Sequence, residues 1–209
     1  MINPWLQIPA DEYEGHMSQP HVDQLLFLSN IFMGSIRQFD PKNIAVLGAA
    51  TGKGLEHISD QNVTVYDINP EYLARIRAQY NRKIKNLNFV EGDLGQIDSL
   101  SGEYDLIFAG LIFEYLNPKR LLSKISTALK NNGVLLAILQ LPSDKHGQIS
   151  ETKYKSIEQL EKIMHLVNPI ELKTHAKDVG LSENQSEIIE HKSGKCFYKG
   201  TFSKIITIT

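Results

Sequence analysis

The feature that most constrains the fold is an alternation of short apolar runs with segments of helical periodicity. Five such runs follow one another, at Ile44 to Leu47, Val63 to Ile68, Leu87 to Val90, Leu106 to Phe113 and Val134 to Leu139. Short and almost continuous apolar runs are typical of strands that are covered on both faces. Strands that alternate with helices predict an α/β fold, a doubly wound and mostly parallel sheet with helices on both of its faces.

Helix signals lie between the predicted strands. Asn69 and Pro70 supply a cap and a first turn for a helix that continues to Lys83, and Pro118 opens another helix. Apolar residues recur at helical spacing between His21 and Phe39, after a polar stretch that contains three prolines. We expect residues 1–40 to form an N-terminal arm and helix, and residues 41–209 to form the rest of the same domain.

The last third of the chain predicts a loop, two helices and a terminal hairpin. These segments are a polar loop from Ser143 to Lys155, helices at Ile157 to Val167 and at Ile170 to Val179, and strands at Ser186 to His191 and Cys196 to Ile208. Ser156 and Gln159 have the spacing of a capping box for the first helix. Two strands joined through Ser193 and Gly194 predict an antiparallel hairpin that closes the edge of a seven-stranded sheet. Four lysines on it, Lys192, Lys195, Lys199 and Lys204, are interpreted as exposed charges that protect this edge.

Composition excludes several classes of function. The chain of 209 residues, 42% of them hydrophobic, can bury one core, and its 22 basic and 24 acidic residues leave no electrostatic footprint for nucleic acid or a membrane surface. A single cysteine, Cys196, fits a reducing compartment, and no apolar stretch is long enough to span a bilayer. No export signal is visible in Met1 to Pro20, so we expect a cytoplasmic protein. The seven histidines show no metal-binding spacing, and no metal is predicted.

Small residues follow the first predicted strand directly, in the sequence Gly48-Ala49-Ala50-Thr51-Gly52-Lys53-Gly54. Such residues at a strand-to-helix turn let a ligand approach the backbone, and Leu55 to Ile58 are expected to begin the helix. The second strand ends at Asp67, 19 positions after Gly48, and a carboxylate there can accept the hydroxyls of a ribose. The loop and the carboxylate therefore predict a site for a ligand that contains a nucleoside.

Five segments in order resemble the motifs of class I, Rossmann-like S-adenosylmethionine-dependent methyltransferases. They are Ala45 to Gly52, Val65 to Pro70, Phe89 to Leu94, Tyr104 to Gly110 and Leu129 to Leu135. The reversed last strand of that family also matches the predicted hairpin. The resemblance implies that S-adenosyl-L-methionine is the cofactor, held by Gly48, Ala49, Ala50, Thr51, Gly52, Gly54, Asp67, Ile68, Asp93, Leu94 and Ala109. It further implies that Asp67 binds the ribose and that Asp93 contacts the adenine.

The first motif departs from the family pattern at two positions. Val46 replaces an acidic residue that helps to anchor the ammonium group of the cofactor, and Ala50 replaces a glycine. We expect alanine to be accommodated if its backbone keeps a negative φ, and an acid from the arm to replace the missing carboxylate. These departures favour, as an alternative to an enzyme, a protein or partner subunit that binds the cofactor without catalysis.

Other interpretations of these residues remain open. A nicotinamide-binding domain would need G-x-G-x-x-G, whereas the third and sixth positions counted from Gly48 are Ala50 and Lys53. Asp67 could cap the following helix, although Asn69 is better placed to do so. Asp93 could instead cap a turn, and Asp105 is interpreted as a structural residue.

Residues for the reaction are predicted from the arm and from the ends of the fourth and fifth strands. His16 is a candidate base and Tyr13 an aromatic contact for a sulfonium, because members of the resembling family fold such an arm over the active site. Glu114 and Gln140 are the other candidates, and Tyr115 is equally consistent with ordinary packing. The predicted reaction is transfer of a methyl group to O, N or C of a small-molecule acceptor by in-line displacement.

Overall fold

The computed structural model describes residues 2–205. Its central element is a seven-stranded sheet. The strands are β1 Asn43–Leu47, β2 Asn62–Asp67, β3 Asn86–Glu91, β4 Tyr104–Gly110, β5 Leu129–Gln140, β6 Leu181–Glu190 and β7 Cys196–Lys204. Their order is β3-β2-β1-β4-β5-β7-β6, and β7 runs antiparallel to both of its neighbours. The predicted fold class is confirmed. The end of the second hairpin segment, residues 206–208, lies outside the described residues.

Residues 2–205 form six α-helices, which are α1 Ala10–Met17, α2 Gln24–Phe39, α3 Pro70–Tyr80, α4 Pro118–Ala128, α5 Lys155–Glu158 and α6 Pro169–Asp178. Three of them, α3, α4 and α6, have the same N-terminal cap. An asparagine precedes a proline at the first helical position, and its side chain accepts a backbone N–H of the first turn. Single 3-10 turns occur at Pro4–Gln7, Leu55–His57, Phe113–Tyr115 and Gln159–Lys162. None of the described helices has the length and apolarity that a membrane span requires.

The two faces of the sheet carry separate apolar cores, as a period of two requires. On β1, Ala45 and Leu47 pack into the core covered by α4 and α6, whereas Ile44 and Val46 pack into the core covered by α2 and α3. Helices therefore cover both faces. The carboxyl ends of the parallel strands remain at one edge of these layers, which is where doubly wound sheets bind ligands.

Two predictions about local structure are wrong. The segment after the glycine loop is a single 3-10 turn, Leu55–His57, because only four residues separate it from β2. Ser156 does not form a capping box, since its hydroxyl donates to Glu12 on α1, and α5 ends at Glu158.

The interpretation of the hairpin lysines as protectors of the sheet edge is also wrong. The edge strand is β6, while β7, which carries Lys199 and Lys204, lies between β5 and β6. The Lys195 side chain is buried against the end of β5, where it contacts Gln140.

Candidate active site

A deep cavity opens at the carboxyl ends of the parallel strands and contains about 1080 Å³ of non-protein space, part of it open to solvent. Its floor consists of the loop after β1, the end of β2 and the turns that follow β3 and β4. Its roof consists of the N-terminal arm and the segment that includes α5. The cavity therefore lies at the topological switch point, where β1 has β2 on one side and β4 on the other.

Asp67 is the acidic residue at the centre of the floor. One carboxylate oxygen accepts the Ala50 N–H at 2.8 Å, and the other accepts the Asn69 N–H at 2.9 Å. Burial raises the pKa of Asp67 to about 6, although the N–H groups of Asn69, Ala50 and Ile68 lower it in part. Each carboxylate oxygen can accept a further hydrogen bond, so the side chain can still receive hydroxyl groups from a ligand. Asn69 caps α3 through its own side chain, as predicted.

The loop after β1 brings backbone close to the cavity. Gly48 has φ +66°, and a Cβ there would lie 2.8 Å from the Ile112 side chain, so the position requires glycine. Ala50 has φ +46°, contrary to the expected negative angle. Its methyl group packs in an apolar cluster with arm residues that include Tyr13 and Met17. The left-handed backbone of the alanine costs about 1–2 kcal/mol. Contact of its methyl group with the arm offsets part of this cost.

Six of the eleven residues that the resemblance assigned to the cofactor line this cavity, namely Gly48, Ala50, Asp67, Ile68, Asp93 and Leu94. The structure does not place Ala49, Thr51, Gly52, Gly54 or Ala109 on its wall. Gly52 has a different function, because at φ +81° its missing Cβ would lie 2.7 Å from Ile76 of α3. Gly54 similarly faces Phe32 of α2, and Ala109 is completely buried in the sheet.

Two other aspartates are held by backbone groups. Asp93 lines the cavity, but one of its oxygens accepts the Gly95 N–H at 2.7 Å, so the side chain caps a turn as the alternative interpretation predicted. Asp105 accepts the N–H groups of Lys42 and Asn43 and pairs with Lys130 at 2.9 Å. It is a structural residue, remote from the cavity.

The arm is fixed to the body by hydrogen bonds and by aromatic packing. The Asn69 amide donates to the carbonyls of Trp5 and Ile8 at 2.8 and 3.3 Å. The Trp5 ring contacts Tyr115 edge-on, with ring centroids 5.0 Å apart, and Tyr13 packs on Tyr72 at 5.6 Å. These four aromatic rings form one wall of the cavity.

No acid of the arm replaces the carboxylate that Val46 lacks. Asp11 and Glu14 pair with Arg75 on the outside of α3, and Glu12 accepts the Ser156 hydroxyl. Among the described residues, the acids that line the cavity are Asp67 and Asp93. The expectation of a substitute acid is therefore wrong, and the polar arm-side groups that remain are neutral.

Of the candidates for the reaction, His16 and Gln140 lie near Lys195, whereas Tyr13 lies near Asp67. His16 is buried, and its Nδ1 has no hydrogen-bond partner among the described residues. Burial, and then the nearby charges of Lys195 and His21, lower the pKa of His16 to about 4, so the imidazole is neutral near pH 7. Burial and the neighbouring Asp67 raise the pKa of Tyr13, which keeps its hydroxyl protonated.

Glu114 stands behind the cavity wall and does not line it, in contrast to the expectation that it faces a ligand. It is fully buried, and one carboxylate oxygen accepts the Gln140 N–H at 2.7 Å while the other has no partner among the described residues. Burial raises the pKa of Glu114 to about 7. It therefore holds the backbone of Gln140, a residue that does line the cavity.

Several wall residues carried no signal in the sequence. Trp5, Tyr72 and Gln148 are isolated polar or aromatic residues in unrelated segments, and only the folded arm and loop bring them together. Lys195 was assigned to the surface because its neighbours in sequence include other lysines. A lone charge in a tight turn gives no indication of the direction in which its side chain points.

Comparisons with known proteins agree with this geometry. Residues 46–135 match a family model described as "Methyltransferase domain". A comparison of the sequence with curated proteins finds no match.

Solved structures with the same fold include an N-methyltransferase, NodS from Bradyrhizobium japonicum WM9 in complex with S-adenosyl-L-homocysteine. Its TM-score is 0.69 at 16% identity, and the match covers 97% of this chain and 99% of that one. Coclaurine N-methyltransferase bound to N-methylheliamine and S-adenosylhomocysteine has a TM-score of 0.67 at 13% identity, with 88% and 72% covered. The [4+2]-cyclase SpnF has a TM-score of 0.67 at 11% identity, with 87% and 81% covered.

The reversed β7 between β5 and β6 also separates this fold from the classic dinucleotide-binding order 3-2-1-4-5-6. Fold, motif order and family model agree. The chain therefore has the fold of the class I, Rossmann-like S-adenosylmethionine-dependent methyltransferases, and its residues 46–135 match the model of a methyltransferase domain.

Proposed function

We propose that the chain transfers a methyl group from S-adenosylmethionine to a small-molecule acceptor enclosed beneath the N-terminal arm. The observation that carries this proposal is the two-ended cavity, with Asp67 and the Gly48 turn at one end and His16, Gln140 and Lys195 at the other. Both ends open into one space that the arm covers. A roofed cavity of this kind suits a small acceptor better than a polymer.

The residues at the Asp67 end fit the proposed cofactor. Asp67 offers acceptor oxygens for ribose hydroxyls, the Gly48 turn allows close backbone approach, and Leu94 supplies an apolar surface for a base. The aromatic rings of Trp5, Tyr13 and Tyr115 suit a cationic sulfonium. When bound, S-adenosylmethionine would supply an activated methyl group, so the protein needs mainly to align the acceptor and exclude water.

The chain's own residues at the other end would orient the acceptor. Gln140 is held by Glu114 behind it and by Lys195 beside it, which fixes its amide at the cavity wall. The neutral imidazole of His16 can accept a proton or a hydrogen bond from an acceptor, because its Nδ1 is not otherwise engaged. We propose that the arm acts as a lid and that this end sets acceptor specificity.

The direct test is an assay of S-adenosylhomocysteine release with methyl-labelled S-adenosylmethionine and a panel of phenols, amines and carboxylic acids. The proposal predicts labelled product with at least one acceptor and a loss of product in the Trp5→Ala variant. Binding of the cofactor with no product from any acceptor would contradict methyl transfer.

That last outcome would support a second candidate, a protein that binds the cofactor without methylation. Two observations favour it, namely the left-handed Ala50 and the absence of an acid near Val46 among the described cavity residues.

A further inference from the structure

Lys195 is a buried cation that has only neutral partners. It precedes β7 and is 3% exposed. Its ammonium donates to the Gln140 side-chain oxygen at 3.1 Å and to the Gln148 carbonyl at 2.8 Å. Among residues 2–205, no carboxylate oxygen forms an ion pair with it within 4.0 Å. A buried ammonium without a counter-charge is costly, so the binding of an anion beside it would be favourable.

The ammonium also has unused hydrogen-bonding capacity. A lysine offers three donors, of which Gln140 and Gln148 take two. Lys195 lines the cavity, together with the unpartnered imidazole of His16 and the amide of Gln24. Apolar side chains, Leu28 and Met164 among them, form the wall around these groups. The part of the cavity beside Lys195 therefore combines an apolar wall with a few polar groups, and Lys195 also borders a smaller pocket lined by Pro142 and His146.

The charged groups around Lys195 do not neutralise it. His16 is neutral near pH 7, and neither it nor His21 supplies a negative charge. Glu114 accepts the backbone N–H of Gln140 and is not among the hydrogen-bond partners of the ammonium. Burial lowers the pKa of Lys195 to about 8, which leaves the ammonium protonated at neutral pH.

The position of Lys195 in the sheet favours contact with the acceptor over contact with the cofactor. Asp67 ends β2 and Lys195 precedes β7, and the sheet order β2-β1-β4-β5-β7 places four strand spacings between them. At about 4.8 Å a spacing, the two backbones are roughly 19 Å apart. The Asp67 end fits the nucleoside, so Lys195 faces the space that remains for the acceptor.

We infer that Lys195 binds a carboxylate of the methyl acceptor, which is thereby a small, largely apolar acid. The inference rests on the proposed function. The methionine part of the cofactor also carries a carboxylate. The experiment must therefore distinguish binding of the acceptor's carboxylate from binding of the cofactor's.

The test compares wild type, Lys195→Met and Lys199→Met by calorimetry, with and without saturating S-adenosylhomocysteine. Lys199 is the control because it lies on β7 and pairs with Glu187 at the surface. The probes are matched pairs: benzoate, 4-hydroxybenzoate and indole-3-acetate, each beside its carboxamide. We expect wild type and Lys199→Met to bind at least one acid tenfold or more tightly than its amide, and Lys195→Met to lose this preference. S-adenosylhomocysteine affinity should change less than threefold in Lys195→Met.

Three results would overturn the inference. They are the absence of an acid preference in wild type, a preference that Lys195→Met retains, and a large loss of S-adenosylhomocysteine affinity in Lys195→Met, which would assign the lysine to the cofactor. If Lys195→Met does not fold, the wild-type comparison of acids with amides still decides the first result, and Lys195→Arg should retain the preference. A wild type that does not bind S-adenosylhomocysteine contradicts the proposed function instead, and the probe arm without that ligand still tests Lys195.

Discussion

A carboxylate oxygen of Asp67 accepts the backbone N–H of Ala50 at 2.8 Å and so ties the end of β2 to the loop that follows β1. Ala50 makes this bond from a left-handed conformation, with φ +46°, while its methyl group packs beneath the arm. The two residues thereby connect the floor of the cavity to its roof. A change at either one should affect ligand binding more than overall fold.

Gly48 lines the cavity, whereas Gly52 of the same loop packs against α3. The Gly52→Ala substitution should therefore destabilise the fold without removing a ligand contact. Its φ of +81° costs an alanine about 1–2 kcal/mol, and the clash with Ile76 adds roughly 1–3 kcal/mol. Gly180→Ala is the matched control, with φ +78° and open space around it. Urea denaturation should show the larger loss of unfolding free energy in Gly52→Ala. Equal losses would mean that the contact with α3 is unimportant.

Trp5→Ala should weaken binding of S-adenosylhomocysteine by about tenfold, equivalent to about 1.4 kcal/mol, because the indole forms part of the cavity wall and stacks edge-on against Tyr115. Leu6→Ala tests the specificity of this effect, since Leu6 occupies the same 3-10 turn but is exposed. Calorimetric titration should show near wild-type affinity for Leu6→Ala. A similar loss in both variants would indicate that the arm acts only through its general stability.

The alternation of parallel strands with helices, the helix starts at Pro70 and Pro118 and the position of Asp67 at the end of β2 were all predicted from the sequence, because each has a local cause. Apolar runs mark buried strands, and Asn-Pro pairs mark helix starts. The inward direction of Lys195, the Ser156 bond to Glu12 and the left-handed Ala50 were not predictable. Each depends on packing between segments that are distant in sequence, and in Ser156 a tertiary partner displaced the local capping box. The cavity roof was unpredictable for the same reason.

Glu114→Gln should change how stability depends on pH. Burial raises the pKa of Glu114 from its ordinary value of 4.5 to about 7, so the folded state binds this proton more tightly than the unfolded state. The stabilisation is complete below about pH 4 and is lost as the pH rises toward 7. Between these limits, the unfolding free energy of the variant relative to wild type should increase by up to about 1.4 kcal/mol per pH unit.

Urea denaturation at several pH values between 5 and 8 measures this difference. Glutamine keeps an oxygen that can accept the Gln140 N–H, so the fold should survive. The exposed Glu158→Gln variant is the control and should run parallel to wild type. A Glu114→Gln curve that also runs parallel to wild type would show that the buried carboxyl is ionised throughout.

The central claim, that Asp67 and the loop after β1 form the cofactor site, is tested most directly by titrating S-adenosylhomocysteine into wild type and Asp67→Asn across pH 5–8. A ligand that donates hydroxyls to Asp67 favours the ionised carboxylate. Because the pKa of Asp67 is about 6, wild-type affinity should increase as the pH rises through 6 and level off above 7. Asp67→Asn should bind at least about tenfold more weakly and lose this dependence. Equal affinities and parallel pH profiles for the two proteins would contradict the account.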